Sequence, residues 1–141
     1  MQVFESADGC LVRLYRGEEI GESLRRLAGE RGWRGGEVQG IGAVSHCEIG
    51  LYDLASREYV RREEPGILEL LGFQGNLSLK DGAPFLHAHV VLLREDFSVA
   101  GGHLFRATVA VTGEFTIRMT DLSLRRMPDE SVGLHLLEAG E

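Results

Sequence analysis

The spacing of apolar residues changes only once along this chain, and that change limits what the chain can fold into. Within residues 18–33, Ile20, Leu24 and Leu27 fall at i, i+4 and i+7, which is the spacing of one face of a helix. Beyond Gly35, short apolar stretches with strand-like composition alternate with turn signals. Nineteen glycines, roughly twice the usual share of ~7%, supply those turns. The pattern predicts an α+β fold, a mostly antiparallel sheet with one main helix packed on it.

Strands are expected on both sides of that helix. One precedes it at Cys10–Arg16, and the others are expected at Val38–Val44, Cys47–Leu54, Glu58–Glu63, Ile67–Leu79, Pro84–Arg94, Val99–Leu104 and Ala107–Met119. Gly72 and Gly75 interrupt one of these stretches, which indicates a bulge or two short strands. Asp81-Gly82 is the strongest hairpin signal, because this dipeptide readily adopts positive φ angles. The weak signals after Leu122 allow an additional edge strand.

Length and charge narrow the class of protein. We expect one domain over residues 1–141. The net charge of −7 disfavours direct nucleic-acid binding, because such binding relies on basic side chains that neutralise phosphates. Acidic neighbours accompany the arginine pairs, including Arg125/Arg126, so these are expected on a solvated surface.

No stretch is long enough for a membrane helix, and the N-terminus lacks a signal-peptide pattern. We expect a cytoplasmic protein with Cys10 and Cys47 reduced and in the core.

Three histidines form the one constellation that points to chemistry. His87 and His89 belong to a His-Ala-His sequence, and residues i and i+2 of a strand share a face, about 6.6 Å apart. The alternate residues of that stretch are all apolar and are expected to face the core. His103 follows Gly101-Gly102, and the acidic turn Glu95–Ser98 allows the chain to fold back beside the pair. Three imidazole nitrogens are the ligands of zinc sites that keep a fourth position for water or substrate.

Spacing alone leaves two interpretations of these histidines open. In one interpretation they bind a divalent metal ion, and zinc is the metal that the ligand set favours. In the other they form hydrogen bonds to backbone and water in a polar pocket. Glu114 interrupts an apolar stretch, and it is either a catalytic acid or base near the metal or an outward-facing strand residue. Asn76 either fixes a turn or faces the same pocket. His46, in a turn, and His135, in the tail, are expected at the surface.

No nucleotide-binding or hydrolase motif accompanies the histidines. Gly40-Ile-Gly-Ala-Val-Ser45 begins like a dinucleotide-binding fingerprint, but it ends in Ser and no clear helix follows. Its glycines are therefore expected to serve a tight turn or close strand packing. The P-loop, HExxH and GxSxG patterns are absent from the sequence.

Several segments taken together resemble a known family. Leu71–His89, with Gly-Asn-Leu-Ser inside it and His-Ala-His at its end, looks like part of the PPC domain (plants and prokaryotes conserved). Val99-Ala-Gly-Gly-His-Leu104 and Thr112-Gly-Glu-Phe-Thr-Ile117 match the same family, and Gly40–Val44 fits its pattern. The resemblance spans most of the chain, and the combination HxH…GGH is fairly specific.

The resemblance implies an α+β fold with a central antiparallel sheet, assembled as a homotrimer. In prokaryotic members, the histidines that match His87, His89 and His103 hold a metal ion, typically zinc. A similar fold with a three-histidine metal site occurs in acetolactate decarboxylase, but fold does not carry function. Plant members add an AT-hook for DNA, and this chain has no such motif. Their DNA-binding function is therefore not transferred to any residue here.

Two classes of function are consistent with these features. The first is a small cytoplasmic metal-binding protein of the PPC type, whose metal acts on a small anionic substrate. Whether such a protein is an enzyme stays open. The alternative is a DNA-associated, regulatory or oligomerisation module, in which a trimer concentrates basic residues such as Arg25/Arg26. In a third interpretation the pocket is vestigial.

Overall fold

The computed structural model describes residues 1–140, which form one helix and nine strands. The elements in chain order are β1 (Gln2–Ser6), β2 (Gly9–Tyr15), α1 (Ile20–Arg31), β3 (Gly36–Asp53), β4 (Glu58–Glu64), β5 (Leu68–Lys80), β6 (Ala83–Leu93), β7 (Val99–Met119), β8 (Leu124–Asp129) and β9 (Leu134–Ala139). The predicted fold class is confirmed, because the sheet is mixed but largely antiparallel and carries one helix. Within residues 1–140, no helix is both long and apolar enough to cross a membrane.

The helix α1 forms where the apolar spacing predicts it. The Glu19 carboxylate accepts hydrogen bonds from the backbone N–H groups of Gly21 (3.1 Å) and Glu22 (2.6 Å), which the first turn leaves without helical partners. Gly32 ends the helix in a left-handed conformation with φ of 65°. The helix packs against β6 and β7. Its buried apolar face consists of Ile20, Leu24, Leu27 and Ala28.

Four strands of the sheet close into a ring. β3 pairs with β5, β5 with β6, β6 with the first residues of β7, and β7 returns to β3. β2 and β1 extend the sheet from β7, β4 pairs with the end of β3, and the β8–β9 hairpin joins β5. In the core, the rings of Phe73 and Phe115 pack edge to face with centroids 5.2 Å apart. Closure places β6 directly beside the start of β7.

Two long strands replace four predicted short ones. β3 covers both segments predicted between Val38 and Leu54, and β7 covers both segments predicted between Val99 and Met119. Register shifts lie between Ser45 and Glu48, where His46 is exposed and has a positive φ of 48°. Pairing with neighbouring strands on both sides of the irregularity keeps each long strand continuous. Local sequence pattern does not show such pairing.

The remaining strands follow the predicted signals in part. Asp81 and Gly82 have φ of 53° and 79° and link β5 to β6 as the predicted hairpin. β5 is one strand with a register shift between Leu70 and Gly72, so the bulge interpretation is the correct one. The structure adds β1, which the sequence did not predict, and the tail forms two strands instead of one edge strand.

Buried small residues account for two other features of the sequence. Cys10 and Cys47 are both free and buried, as predicted. A Cβ at Gly40 would lie 2.2 Å from the ring of Phe115. The Gly-Ile-Gly sequence therefore serves close strand packing, as predicted.

Candidate metal centre

β6 and β7 bring the three predicted histidines together. His87 and His89 lie on one face of β6, and His103 of β7 is the cross-strand partner of His89. The ring centroids are 5.2 Å apart for His87 and His89, 5.1 Å for His87 and His103, and 5.5 Å for His89 and His103. One ligand atom from each ring lies within 4.8 Å of the other two. The alternate residues Ala88 and Val90 are buried in the core, as predicted.

The pair Gly101-Gly102 explains why β7 lies so close to its neighbours. A Cβ at Gly101 would lie 2.7 Å from the carbonyl oxygen of Val90 on β6. A Cβ at Gly102 would lie 2.7 Å from the carbonyl oxygen of Gly50 on β3. Residues without a side chain allow β7 to fit between these two strands. His103, the next residue, is thereby held beside β6.

Aromatic rings enclose His103. The rings of Tyr59 and Phe105 each have their centroid 4.8 Å from that of His103. The His103 Nδ1 atom is buried and has no hydrogen-bond partner within residues 1–140. Burial is the main reason that the pKa of His103 falls to about 4, and burial also lowers the pKa of His87. Both rings are therefore neutral at pH 7, which is the form that binds a metal ion.

The geometry fits a metal ion. Zn–N bonds of about 2.0–2.1 Å in a tetrahedron place ligand nitrogens about 3.3 Å apart, so small ring rotations close the present separations. The buried Nδ1 of His103 favours the metal over the alternative polar cluster, because no backbone group satisfies this atom as that alternative requires. A metal ion held by these three ligands would keep a fourth coordination position for water or substrate.

Within one chain, the structure does not bring Glu114 to the histidines. A row of cross-strand partners runs from His89 through Gln74 and Gln39 to Thr116. Three strand spacings of about 4.8 Å make this roughly 14 Å along the sheet, and Glu114 lies two residues beyond Thr116 on β7. Its side chain is exposed. The predicted acid/base role therefore has no support from the geometry of a single chain, and the alternative of an outward-facing strand residue agrees with the structure.

Asn76 does face the site, and it is bonded to Arg126, a residue that the sequence predicted on the surface. Asn76 is the cross-strand partner of His87, and its Oδ1 accepts a hydrogen bond of 2.5 Å from Nη2 of Arg126. Nε of Arg126 donates a second hydrogen bond of 3.2 Å to Oγ of Ser78. Arg126 is buried, whereas its acidic neighbours in sequence predicted a solvated position. No local signal identifies it, because its position depends on how β8 packs on β5.

A groove of about 740 Å³ adjoins the site. Gln74 and Asn76, which pair with the two histidines of β6, line the groove together with Gly36–Gln39 of β3. Leu124 and Leu137 of the terminal hairpin form its apolar side. Within residues 1–140 the groove meets the site only at these cross-strand partners, because none of the three histidines lines it.

The family follows from a comparison with protein-family models. Residues 1–121 match the model described as the Plants and Prokaryotes Conserved (PCC) domain, the family named above as PPC. The chain is a PPC-domain protein. The resemblance noted in the sequence is thereby confirmed. No curated protein matches the chain in sequence.

Solved structures of PPC proteins share this fold. A metal-containing protein from Archaeoglobus fulgidus is 37% identical, with a TM-score of 0.86 over 98% of this chain and 99% of its own. A plant- and prokaryote-conserved (PPC) protein from Pyrococcus horikoshii is 34% identical, with a TM-score of 0.85 over 93% of this chain and 91% of its own. A protein from Ralstonia eutropha, described provisionally as DNA-binding, is 26% identical, with a TM-score of 0.91 over 96% of this chain and 94% of its own.

Proposed function

We propose that this PPC domain binds one divalent metal ion, zinc by preference, through His87, His89 and His103, and acts on a small anionic substrate at the open coordination position. The observation that carries the proposal is the approach of three ligand atoms to within 4.8 Å of one another. The A. fulgidus relative, described as metal-containing, supports it. Three imidazole ligands with an open position would suit zinc, because zinc accepts nitrogen ligands in tetrahedral geometry.

The surroundings of the histidines determine what chemistry such a site can support. A zinc ion bound there would polarise a carbonyl group of the substrate, or it would lower the pKa of a bound water molecule to about 7. Tyr59 and Phe105 shield His103 from water, and this shielding keeps its nitrogen free of a competing proton at neutral pH. His89 is exposed, so a ligand reaches the site from its side of the sheet.

Metal analysis of the purified protein tests this proposal. We expect roughly one zinc ion per chain in the wild type and almost none in the triple variant H87A/H89A/H103A. The double variant H46A/H135A is a matched control, because it removes two exposed histidines outside the cluster and should keep the metal. Circular dichroism establishes that each variant is folded. A folded wild-type protein that takes up no zinc from zinc-containing buffer would contradict the proposal.

We also propose that the domain assembles as the homotrimer that its family resemblance implies. Leu11, Ile41 and Val91 are exposed on the same sheet face as the histidines, where a partner chain would cover them. Sedimentation equilibrium should give three times the chain mass of 15.5 kDa. A monomer at micromolar concentration would contradict this assembly.

A role at DNA is the second candidate, because the R. eutropha relative is provisionally described in that way. The net charge of −7 counts against it. Tight duplex binding that weakens steeply with salt and does not respond to chelators would favour DNA over metal chemistry. We therefore place the metal function first.

A further inference from the structure

Arg126 is a buried cation for which residues 1–140 supply no counter-ion. The residue is 8% exposed, yet it belongs to none of the ion pairs formed within residues 1–140. Its hydrogen bonds go to the neutral oxygens of Asn76 and Ser78 and use two of the five guanidinium N–H groups. Arg94 provides a contrast, because its guanidinium forms two hydrogen bonds to the buried carboxylate of Glu64. A buried charge is costly without a partner of opposite sign.

The guanidinium of Arg126 lies near the His87 end of the histidine cluster. Its partner Asn76 is directly opposite His87 in the pairing of β5 with β6. Its Cζ atom is 5.5 Å from the centroid of the Phe85 ring, two residues before His87 on the same face of β6. Its positive charge also contributes to the lowered pKa of both His87 and His103. The uncompensated charge of Arg126 therefore lies near His87, on the sheet face that carries the histidines.

We propose that Arg126 is the anion-binding residue of this site and pairs with a carboxylate of the molecule that coordinates the metal. This inference rests on the proposed metal function and narrows its substrate class. The substrate carries a metal-binding atom and a carboxylate within one small molecule. A guanidinium suits this task because its planar N–H groups match the two oxygens of a carboxylate.

A structural role alone would make Arg126 a polar link between β8 and β5. Those two strands share a single backbone pair, Leu79 with Arg125, so the side-chain hydrogen bonds of Arg126 strengthen their contact. Both roles predict that removal of the guanidinium affects stability. Only the anion-binding role predicts that Arg126 changes which ligands the metal site prefers, so preference is the quantity to measure.

The test uses protein loaded with Co²⁺ and two thiol probes. Mercaptoacetate and 2-mercaptoethanol both offer a thiolate to the metal, and only the first adds a carboxylate. Titrations followed by the visible spectrum of cobalt give both affinities. We expect the preference for mercaptoacetate to be about tenfold larger in the wild type than in R126M, because charge-assisted hydrogen bonds are about twice as strong as neutral ones. Affinity for 2-mercaptoethanol and cobalt stoichiometry should not change.

Two further variants complete the design. R125M removes the same charge from the neighbouring, exposed position of β8 and should keep the wild-type preference. R126K keeps the charge but loses the planar N–H groups that match a carboxylate. Its preference for mercaptoacetate should therefore fall between those of the wild type and R126M. It also replaces R126M in the comparison if R126M does not fold.

The outcomes separate the two proposals. A wild-type protein that binds no cobalt overturns the metal function and the role of Arg126 together. Stoichiometric cobalt with the same thiol preference in the wild type, R126M and R126K overturns the role of Arg126 and leaves the metal site standing. An equal loss in R125M and R126M would show that only overall charge matters, which also overturns it.

Discussion

Replacement of Gly75 by alanine tests how closely β5 is packed against the strand that carries two of the histidines. Gly75 pairs with Ala88, and a Cβ at Gly75 would lie 2.5 Å from the carbonyl oxygen of His87 and 3.0 Å from Cβ of Ala88. Ordinary van der Waals contact begins at 3.4 Å, so β6 or β5 must move by about 0.9 Å. Rotation of a side chain does not relieve the contact, because both atoms are fixed to the backbone of β6.

Two opposing effects determine the stability of this variant. Alanine restricts the unfolded chain more than glycine does, which stabilises the fold by about 0.4–1 kcal/mol where the native φ and ψ suit both residues. Overpacking typically costs about 1–3 kcal/mol. We therefore expect G75A to lower the free energy of unfolding by about 1–2 kcal/mol and the melting temperature by roughly 3–8 °C. The displaced carbonyl belongs to His87, so zinc affinity should fall by about tenfold.

Gly72 provides a matched control in the same strand. A Cβ at Gly72 meets no atom within 4 Å, so G72A should be as stable as the wild type or more stable by up to about 1 kcal/mol. Urea unfolding of the metal-free proteins, followed by circular dichroism, gives the free energies, and zinc titration gives the affinities. Equal stability of G75A and G72A, with wild-type zinc affinity for both, would refute the argument that β5 holds β6 in place.

Two more predictions concern buried charge and pH. Glu64 is 2% exposed and accepts hydrogen bonds of 2.8 and 3.1 Å from Arg94, whose guanidinium lowers the pKa of that carboxyl. E64Q should cost about 1.5–3 kcal/mol, the range for hydrogen bonds to a charged group. The wild-type contribution should be present above about pH 4.5 and disappear as the pH falls through the lowered native value. Urea unfolding between pH 3 and 7 that shows no difference in pH slope between the two proteins would contradict this. In the metal-free protein, burial lowers the pKa of His103 to about 4, so the unfolded chain takes up the proton first and stability falls as the pH drops from 6.5 to 4. An NMR titration that places the His103 midpoint near 6.5 would contradict the burial of that ring.

Much of the histidine cluster was predictable because it depends on spacing along a strand. His87 and His89 share a face in any strand, and the apolar residues between and beside them indicate which face is buried. The hairpin at Asp81-Gly82 was predictable for a similar reason, since positive φ angles are a property of those residues themselves. Such features need only a few neighbouring residues, so the sequence shows them directly.

Glu114 shows what the local sequence pattern does not predict. The sequence indicates a carboxylate on a strand, but its distance from His89 depends on the order in which β5, β3 and β7 lie side by side. The buried position of Arg126 depends in the same way on a terminal hairpin that packs across β5. Both positions are set by pairings between residues distant in sequence, which no local pattern encodes.

Alone, the sequence determined the helix, the faces of the strands, and the role of the Gly40-Ile-Gly sequence in close strand packing. These are consequences of backbone preference and of the period of apolar residues, which act over a few positions. Tertiary structure alone decided that β6 and β7 meet at His89 and His103, that Glu114 lies elsewhere, and that Arg126 stands buried beside the histidines. The physical reason is that closure of β3, β5, β6 and β7 into a ring depends on pairing and apolar burial among residues far apart in sequence.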